Sequence, residues 1–345
     1  MSNRKKANNP VGYASQLGTR LAGLLVLVTC LLFFPGTLAF GADPGETAVT
    51  GTVVSAQKPG SVLFFNIYTS DATDVDNQNT KFAVTNTNHS TSVSIQVFFI
   101  DSLSGAAASF SFCLTQTQTV SFESVDLDPN TEGYVIVVAC DPNGAPVVHN
   151  DLVGDLYVKF SSGHNAGLGA VGVTARSVPT VQLSDSQVDL NFDGVGYDLL
   201  PLTIAVDNIP SRINNNDTII FVNRAGGDII NGVSEIGNMF GLLYNDAELA
   251  HSFSFYSPRC QVKIVLNSNN PRTTPRFTTV IPDGRSGWLK LNSIQNRAII
   301  GAVLNYNSGT FGVPNAFSGG HNLHTLTMTT SQLTIPVFPS GCTSL

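Results

Sequence analysis

Three carboxylates and an amide lie close together in the segment Ser70-Asp71-Ala72-Thr73-Asp74-Val75-Asp76-Asn77. Clustered oxygen ligands suit Ca²⁺, a hard cation that tolerates irregular geometry. The spacing is not that of an EF-hand, and the segment lacks the bidentate Glu of that motif. Asp71, Asp74, Asp76 and Asn77 are therefore candidate calcium ligands, with a solvated acidic turn between two strands as the alternative.

A second candidate is a short motif that occurs twice. Phe160-Ser161-Ser162-Gly163-His164-Asn165 returns as Phe317-Ser318-Gly319-Gly320-His321-Asn322 with one substitution, and each copy follows an apolar alternating run and a turn. The repeat indicates an internal duplication into two similar β modules. We predict that His164, Asn165, His321 and Asn322 are structural residues that hydrogen-bond a loop at a sheet end, with a ligand site as the alternative.

His321 and His324 also form a His-x-x-His pair, which could hold a metal ion. In an extended segment, residues three apart point to opposite faces of the sheet. Joint ligation would therefore require a bulge or a helix. The pair also lacks the Glu of a His-Glu-x-x-His metalloprotease.

The residues that carry covalent or acid–base catalysis do not form a recognisable pattern. There is no Gly-x-Ser-x-Gly elbow. Asp151 with Asp155, or Asp246 with Glu248, could in principle be a glycosidase pair, but the distance between two carboxylates decides that chemistry and the sequence does not give it. We therefore predict a protein that is not an enzyme and has no cofactor beyond a possible structural Ca²⁺.

The first 41 residues have the pattern of a secretory signal. A basic region without acidic residues precedes the apolar run at residues 21–34, which is short for a bilayer span of ~20 residues, and Ala39-Phe40-Gly41 supplies small residues for cleavage. We expect cleavage after Gly41, with an uncleaved N-terminal anchor as the alternative. Removing residues 1–41 leaves 13 basic against 24 acidic residues, a formal net charge of −11, which argues against a nucleic-acid partner.

Four cysteines follow the predicted signal, and an even number in an exported chain favours disulfides over thiolate metal sites. They are Cys113, Cys140, Cys260 and Cys342. Pairing Cys113 with Cys140 and Cys260 with Cys342 keeps each bridge within one repeat, and we favour it among the three possible pairings.

The elements that must position these residues are strands. Val93, Ile95, Val97 and Phe99 alternate with Ser94, Gln96 and Phe98, which is typical of a strand with one buried face. Similar short runs recur between turns throughout the chain, and residues 235–251 could form a helix or a hairpin. The pattern predicts an all-β protein with two tandem β-sandwich domains, at residues 42–178 and 179–345, joined within residues 176–186.

Several motifs resemble those of a group of exported bacterial proteins of unknown function. The similar segments are Phe65-Asn66-Ile67-Tyr68-Thr69-Ser70, Leu152-Val153-Gly154-Asp155-Leu156-Tyr157-Val158-Lys159, Ser162-Gly163-His164-Asn165-Ala166-Gly167-Leu168-Gly169-Ala170, Ala205-Val206-Asp207-Asn208-Ile209-Pro210-Ser211-Arg212, Arg285-Ser286-Gly287-Trp288-Leu289-Lys290-Leu291 and Gly320-His321-Asn322-Leu323-His324. The resemblance spans nearly all of the chain after the predicted signal. It implies a shared fold and an exported destination. It provides no activity, cofactor or catalytic residue that could be transferred to this chain.

Together these features predict a non-catalytic structural, adhesive or surface-interaction protein outside the cell, on its surface or in the periplasm. The expected partner is a protein or polysaccharide of the cell envelope. A pair of carbohydrate-binding modules is the first alternative, because some Tyr side chains or Trp288 could stack on sugars. An extracellular glycan hydrolase is the second.

Overall fold

A computed structural model of the chain describes residues 54–56, 58–179, 186–212, 215–267, 269–309 and 318–342. Within these residues the backbone forms 21 strands and two single-turn helices, which confirms the all-β prediction. The strands of the N-terminal half are β1 (Val62–Thr69), β2 (Asn79–Asn86), β3 (Val93–Asp101), β4 (Ala107–Leu114), β5 (Thr119–Glu123), β6 (Glu132–Cys140), β7 (Leu152–Lys159), β8 (Asn165–Gly169) and β9 (Val171–Val173).

The C-terminal half contributes twelve further strands. They are β10 (Gln187–Phe192), β11 (Leu200–Pro210), β12 (Asn216–Arg224), β13 (Gly227–Asp228), β14 (Gly237–Asn245), β15 (Ala250–Ser257), β16 (Gln261–Val265), β17 (Ser286–Ser293), β18 (Ile299–Asn307), β19 (Gly319–Asn322), β20 (His324–Thr329) and β21 (Ser331–Pro336). The helices are α1 (Ser124–Leu127) and α2 (Phe277–Val280). No helix within the described ranges is long and apolar enough to cross a membrane. The predicted signal, residues 1–41, lies outside those ranges.

These strands form five sheets. Sheet 1 has the order β4-β3-β6-β1-β9, sheet 2 the order β5-β2-β7-β8 and sheet 3 the order β10-β21-β13. Sheet 4 has the order β15-β14-β17-β11-β20 and sheet 5 the order β16-β12-β18-β19. Most neighbouring strands are antiparallel, and β13 runs parallel to β21.

The prediction of two tandem β-sandwich domains is wrong. The structure has five small sheets, as many as a five-bladed β-propeller has blades, within one compact unit spanning Gly45–Leu345. The core is also shared between the halves: Ile219, Phe221, Ala302 and Leu304 of sheet 5 pack in the same apolar cluster as sheets 1 and 2. The predicted boundary at residue 178 falls between β9 and β10.

Sheet 1 explains why the sandwich prediction failed. A sandwich sheet has one buried and one solvated face, but β1 is buried along its whole length. Leu63 and Phe65 pack towards sheet 2, whereas Val62 and Phe64 pack towards sheet 3. Apolar clusters on both faces therefore hold sheet 1 between two other sheets.

The same correction applies to β3, for which the sequence predicted one buried face. Ser94 and Gln96, the polar positions of the alternation, are fully buried. The Ser94 hydroxyl donates to the Ser340 hydroxyl (2.7 Å), and the Gln96 amide donates to the Phe338 carbonyl (3.0 Å). The C-terminal segment thus covers this face and accepts one hydrogen bond from each of these buried side chains, whereas the Gln96 Oε1 atom has no partner among the described residues.

The strand order repeats between the two halves. In sheets 1 and 4 the chain visits the five positions in the same succession, and sheets 2 and 5 likewise correspond strand for strand. The fourth strand of each of these two sheets carries a bulge at the same place, between Phe65 and Tyr68 in β1 and between Val206 and Ile209 in β11. This shared connectivity agrees with the internal duplication that the repeated motif suggested.

Residues 235–251, for which the sequence allowed a helix or a hairpin, form a hairpin. β14 pairs antiparallel with β15 across the turn at Asp246. Asn245 closes this turn by accepting backbone N–H groups of Ala247 and Leu249 on its side-chain oxygen (both 3.0 Å). This is an Asx-type closure, in which a short polar side chain bonds the backbone that follows it.

The preferred disulfide pairing is wrong. Cys113 is bonded to Cys342, 229 residues away, whereas Cys140 and Cys260 are buried free thiols. Cys113 and Cys140 both lie opposite Ser94, on the strands to either side of β3. Strands two positions apart are separated by about 9.5 Å, which exceeds the reach of a disulfide.

Burial makes both free thiols poor nucleophiles. It raises the pKa of Cys260 to about 11 and the pKa of Cys140 well above its usual range. Because the thiolate is the reactive form of cysteine, neither residue is suited to covalent catalysis or metal binding.

We predict that peptide mapping under non-reducing conditions links Cys113 to Cys342 and leaves Cys140 and Cys260 to be alkylated after unfolding. Replacing Cys113 and Cys342 together with Ser should lower the free energy of unfolding by about 2–5 kcal/mol, because the bridge closes a very long loop. Urea titration measures this loss. A peptide linking Cys113 to Cys140 would contradict the structure.

Candidate functional site

A cleft of about 640 Å³ lies where the two halves meet, along β8 and β19. Its walls come from both halves, including Asn66, Leu168, Asp207 and His321. The two strands approach closely because Gly320 has no side chain: a Cβ there would lie 2.5 Å from Leu304 and 3.0 Å from Ala166. The cleft therefore belongs to the junction rather than to either half.

Three potential metal ligands converge at this cleft. The Nε2 atom of His321 lies 2.9 Å from Oδ1 of Asp207, and Nε2 of His324 lies 3.4 Å from the same oxygen. The ligand atoms of the three residues all lie within 4.8 Å of one another. In the part of the chain that the structure describes, no other group of three His, Cys, Asp or Glu residues meets that criterion.

A β-bulge positions Asp207. Asp207 and Asn208 together stand opposite Trp288 of β17, so two residues of β11 face one residue of its partner. Asn208 adopts a left-handed conformation (φ 48°), which Asn tolerates better than most residues. Bulges commonly redirect a side chain next to a binding site.

A change of sheet positions the two histidines. β19 ends at Asn322 in sheet 5, and β20 begins at His324 in sheet 4, so the chain crosses between sheets at Leu323. The Leu323 N–H donates to the Gly301 carbonyl (2.9 Å). Within one continuous strand, joint ligation by His321 and His324 requires a bulge or a helix, and this crossover has the same effect.

The hydrogen bonds of His321 define its tautomer. Nδ1 lies 2.9 Å from the backbone carbonyl of Asn322, which can only accept, so Nδ1 carries the proton. In the neutral ring Nε2 is then an acceptor, and it faces the Asp207 carboxylate, which is also an acceptor. This contact becomes favourable when a cation lies between the two groups, either a second proton on the ring or a metal ion.

The repeated motif does not occupy equivalent places in the fold. His164 lies just before β8, whereas His321 is the third residue of β19. By strand register, the last residue of β8, Gly169, corresponds to Asn322. His321 therefore corresponds to Leu168, so His164 and His321 are not equivalent positions of the fold, and a structural role for His321 stays a prediction.

The first half has no counterpart of the cluster. Its bulge places Asn66 where the second half has Asp207. Its last strand begins with Val171 where the second half has His324. Asp207 was missed by sequence reasoning as a site residue, and an acidic residue at the bulge of an otherwise apolar strand is the signal that could have identified it.

His164 is a structural residue, as predicted. It is 1% exposed, its Nδ1 lies 3.0 Å from the Ser162 hydroxyl, and its Nε2 lies 3.3 Å from the Asp217 carbonyl. Burial lowers the pKa of His164, and the nearby Asp217 offsets part of this effect. Asn165 is exposed and donates to the Gly163 carbonyl (3.1 Å).

Buried amides connect the halves behind the cleft. The Asn66 side chain donates to the Gly301 carbonyl (2.9 Å) and to the side-chain oxygen of Asn322 (2.8 Å). The Asn322 amide in turn donates to the Gly169 carbonyl (2.6 Å). Asn223 donates to the Asn66 backbone carbonyl (2.8 Å). Asn322 therefore has the structural role that the repeat suggested.

The candidate calcium ligands bond mainly within their own loop. Asp71 accepts the N–H and hydroxyl of Thr73 (2.8 and 2.6 Å), and Asp74 accepts the Asn77 amide (2.9 Å). Asp71, Asp74 and Asp76 do not bring three carboxylate oxygens within 4.8 Å of one another. Calcium binding by this loop stays a prediction.

The candidate catalytic carboxylates lie apart from the cleft. Asp246 pairs with Arg285, and Asp151 accepts the Asn88 side chain (2.9 Å). Asp155 lines a smaller depression of about 270 Å³ together with Lys58. Among the described residues that line the main cleft, Asp207 is the sole carboxylate.

The aromatic rings that could stack on sugars differ in how much of their surface is accessible. Tyr68, Tyr134 and Tyr197 are fully buried. Tyr244 and Trp288 stack on each other across β14 and β17, with ring centroids 4.2 Å apart and an interplanar angle of 2°. Because the two rings face each other, each has at most one face left for a ligand.

No protein-family model matches the chain, and the search of curated proteins found no significant match.

We predict that the free energy of unfolding falls as the pH drops below about 6.5, in part because of His164. The unfolded chain binds a proton at the ordinary imidazole pKa, whereas the folded state, with its lowered pKa, binds it at a lower pH. Each proton taken up preferentially by the unfolded state lowers the free energy of unfolding by about 1.4 kcal/mol for each unit that the pH falls. H164Q should therefore flatten the pH dependence in urea titrations between pH 7.5 and 5.5.

His89, an exposed loop residue, supplies the matched control H89Q. The H164Q variant also loses hydrogen bonds, so its stability at pH 7.5 will be lower in any event, and the slope is the informative quantity. Equal slopes in H164Q and the unaltered protein would contradict the assignment.

Proposed function

We propose that the protein is an exported, non-catalytic interaction protein that binds its ligand or partner in the cleft between its halves. The observation that carries this proposal is the cleft itself, because about 640 Å³ lies within the range of ligand-binding sites. The lining mixes apolar residues with converging polar side chains, here Asp207, His321 and His324, and polar groups of this kind fix the orientation of a ligand in such sites.

Export is supported by two independent features. The N-terminal 41 residues have the composition of a secretory signal. The Cys113–Cys342 bond is of the kind that persists in oxidising compartments. We propose a location outside the cell, at its surface or in the periplasm, and a protein or polysaccharide of the cell envelope as partner.

Carbohydrate binding is the second candidate function. Trp288, stacked on Tyr244, lies opposite the bulge that carries Asp207, so the aromatic pair neighbours Asp207 in sheet 4, outside the described lining of the cleft. A sugar ring packed on the remaining face of one of these rings would gain apolar contact at low entropic cost. A glycan hydrolase would need two carboxylates across one bond, and the described lining of the cleft has one.

The cleft can be tested by filling it. We predict that G167W weakens ligand binding, because Gly167 lines the cleft and a Cβ there meets nothing closer than 3.9 Å, so the larger side chain can enter without displacing the backbone. N165W is the matched control, since Asn165 is an exposed residue on the same strand and outside the cleft lining.

The measurement uses the chain from residue 42 onwards, incubated with soluble and insoluble polysaccharides and with cell-envelope protein. Bound protein and newly released reducing ends are both recorded. We expect saturable binding that G167W weakens at least tenfold and N165W leaves unchanged. Equal binding by both variants would place the interaction elsewhere, and release of reducing ends would overturn the non-catalytic proposal. Loss of polysaccharide binding in W288A would favour the carbohydrate-binding alternative.

A further inference from the structure

We propose that Asp207, His321 and His324 bind a divalent first-row transition metal ion, with Zn²⁺ as the first choice. This inference is independent of the ligand proposed for the cleft. Two imidazoles and one carboxylate form the ligand set of many zinc sites in which water occupies the fourth position. Imidazole nitrogen also argues against Ca²⁺ and Mg²⁺, which prefer oxygen ligands alone.

The distances agree with a shared ion. Zn–N and Zn–O bonds of 2.0–2.2 Å place two ligand atoms about 2.9 Å apart at an angle of 90° and about 3.3 Å apart at the tetrahedral angle. The separations from Asp207 Oδ1 to the two histidine nitrogens are 2.9 and 3.4 Å. Both separations from Asp207 therefore fit a shared ion, and the ligand atoms of the two histidines lie within 4.8 Å of each other.

The ring of His321 is oriented as metal ligands usually are. A ligating histidine almost always donates its other N–H to a carboxylate, a backbone carbonyl or water, which fixes the tautomer. His321 makes this bond to the Asn322 carbonyl (2.9 Å). The side chain of Asn322 is itself held by Asn66 and Gly169, so the hydrogen-bond acceptor belongs to a rigid part of the fold.

The site is open to solvent. The side chains of His321, Asp207 and His324 are 37%, 55% and 58% exposed, so an ion can enter and water can complete its coordination. All three residues line the cleft. A metal ion bound there would offer its remaining positions to a donor atom of a cleft ligand.

The test is equilibrium binding of Zn²⁺ to the untagged chain from residue 42 onwards after treatment with a chelator. Isothermal titration calorimetry should give one ion per chain. H321A and H324A should each weaken binding more than about 100-fold, since loss of an outer-shell partner alone costs 10–100-fold. D207N should also lower the affinity for Zn²⁺. H89A removes an exposed histidine far from the site in sequence and should leave the affinity unchanged.

A second measurement reports the ligands directly. Co²⁺ added to the chelator-treated protein should give a visible absorption spectrum that is absent in H321A. H324Q keeps most of the side-chain volume at the most exposed of the three positions. Weaker binding in this variant is therefore due to the lost imidazole rather than to a folding defect, and thermal melting checks the fold independently. Failure to bind Zn²⁺ at one ion per chain, or equal affinities in H321A, H324A and H89A, would overturn the proposal and leave His321 and Asp207 as an ion pair alone.

Discussion

The hydrogen bonding of Asn66 is the constraint on which the arrangement of the two halves depends. This side chain is buried on the bulge of β1 and donates to Gly301 and Asn322, both in the C-terminal half. Its own backbone carbonyl accepts the side-chain amide of Asn223, another residue of that half. A buried amide without partners would cost about 1–3 kcal/mol, so these bonds favour one relative placement of the halves, and that placement brings β8 beside β19.

The cleft and its polar cluster follow from the same placement. The duplicated connectivity puts a bulge at the same point of each half, but the two bulges carry different residues. Asn66 is turned into the junction and satisfied there, whereas Asp207 faces the cleft with His321 and His324. The same bulge therefore contributes a residue that joins the two halves in the N-terminal half, Asn66, and an ionisable potential ligand in the C-terminal half, Asp207. Divergence of two equivalent positions, rather than a separate insertion, distinguishes the site.

The local structure could be predicted from the sequence, and the long-range pairing could not. Alternation identified strands such as β3, because it depends on neighbours in the chain, whereas residues 235–251 stayed open between a helix and a hairpin until the structure showed β14 paired with β15. The solvated face expected for β3 is instead covered by residues near 340, and no local pattern reports a partner that far away. Cys113 was assigned to the wrong cysteine for the same reason. Part of the candidate site could be identified from the sequence, because His321 and His324 form a His-x-x-His pair. Their placement in two different sheets and their proximity to Asp207 could not be predicted, since both depend on the crossover at Leu323.

The Cys113–Cys342 bond and the strand pairing of β10 with β21 impose an order of events on a chain that is synthesised N-terminus first. Sheet 1 cannot be covered on its second face until residues 331–342 have been made, since β21 and the segment after it supply that cover. During synthesis, the N-terminal half therefore has an uncovered apolar surface, and such surfaces are prone to aggregation. Completion of the fold and closure of the disulfide coincide with release of the last residues, so a truncated chain cannot form the bridge that secures the finished protein.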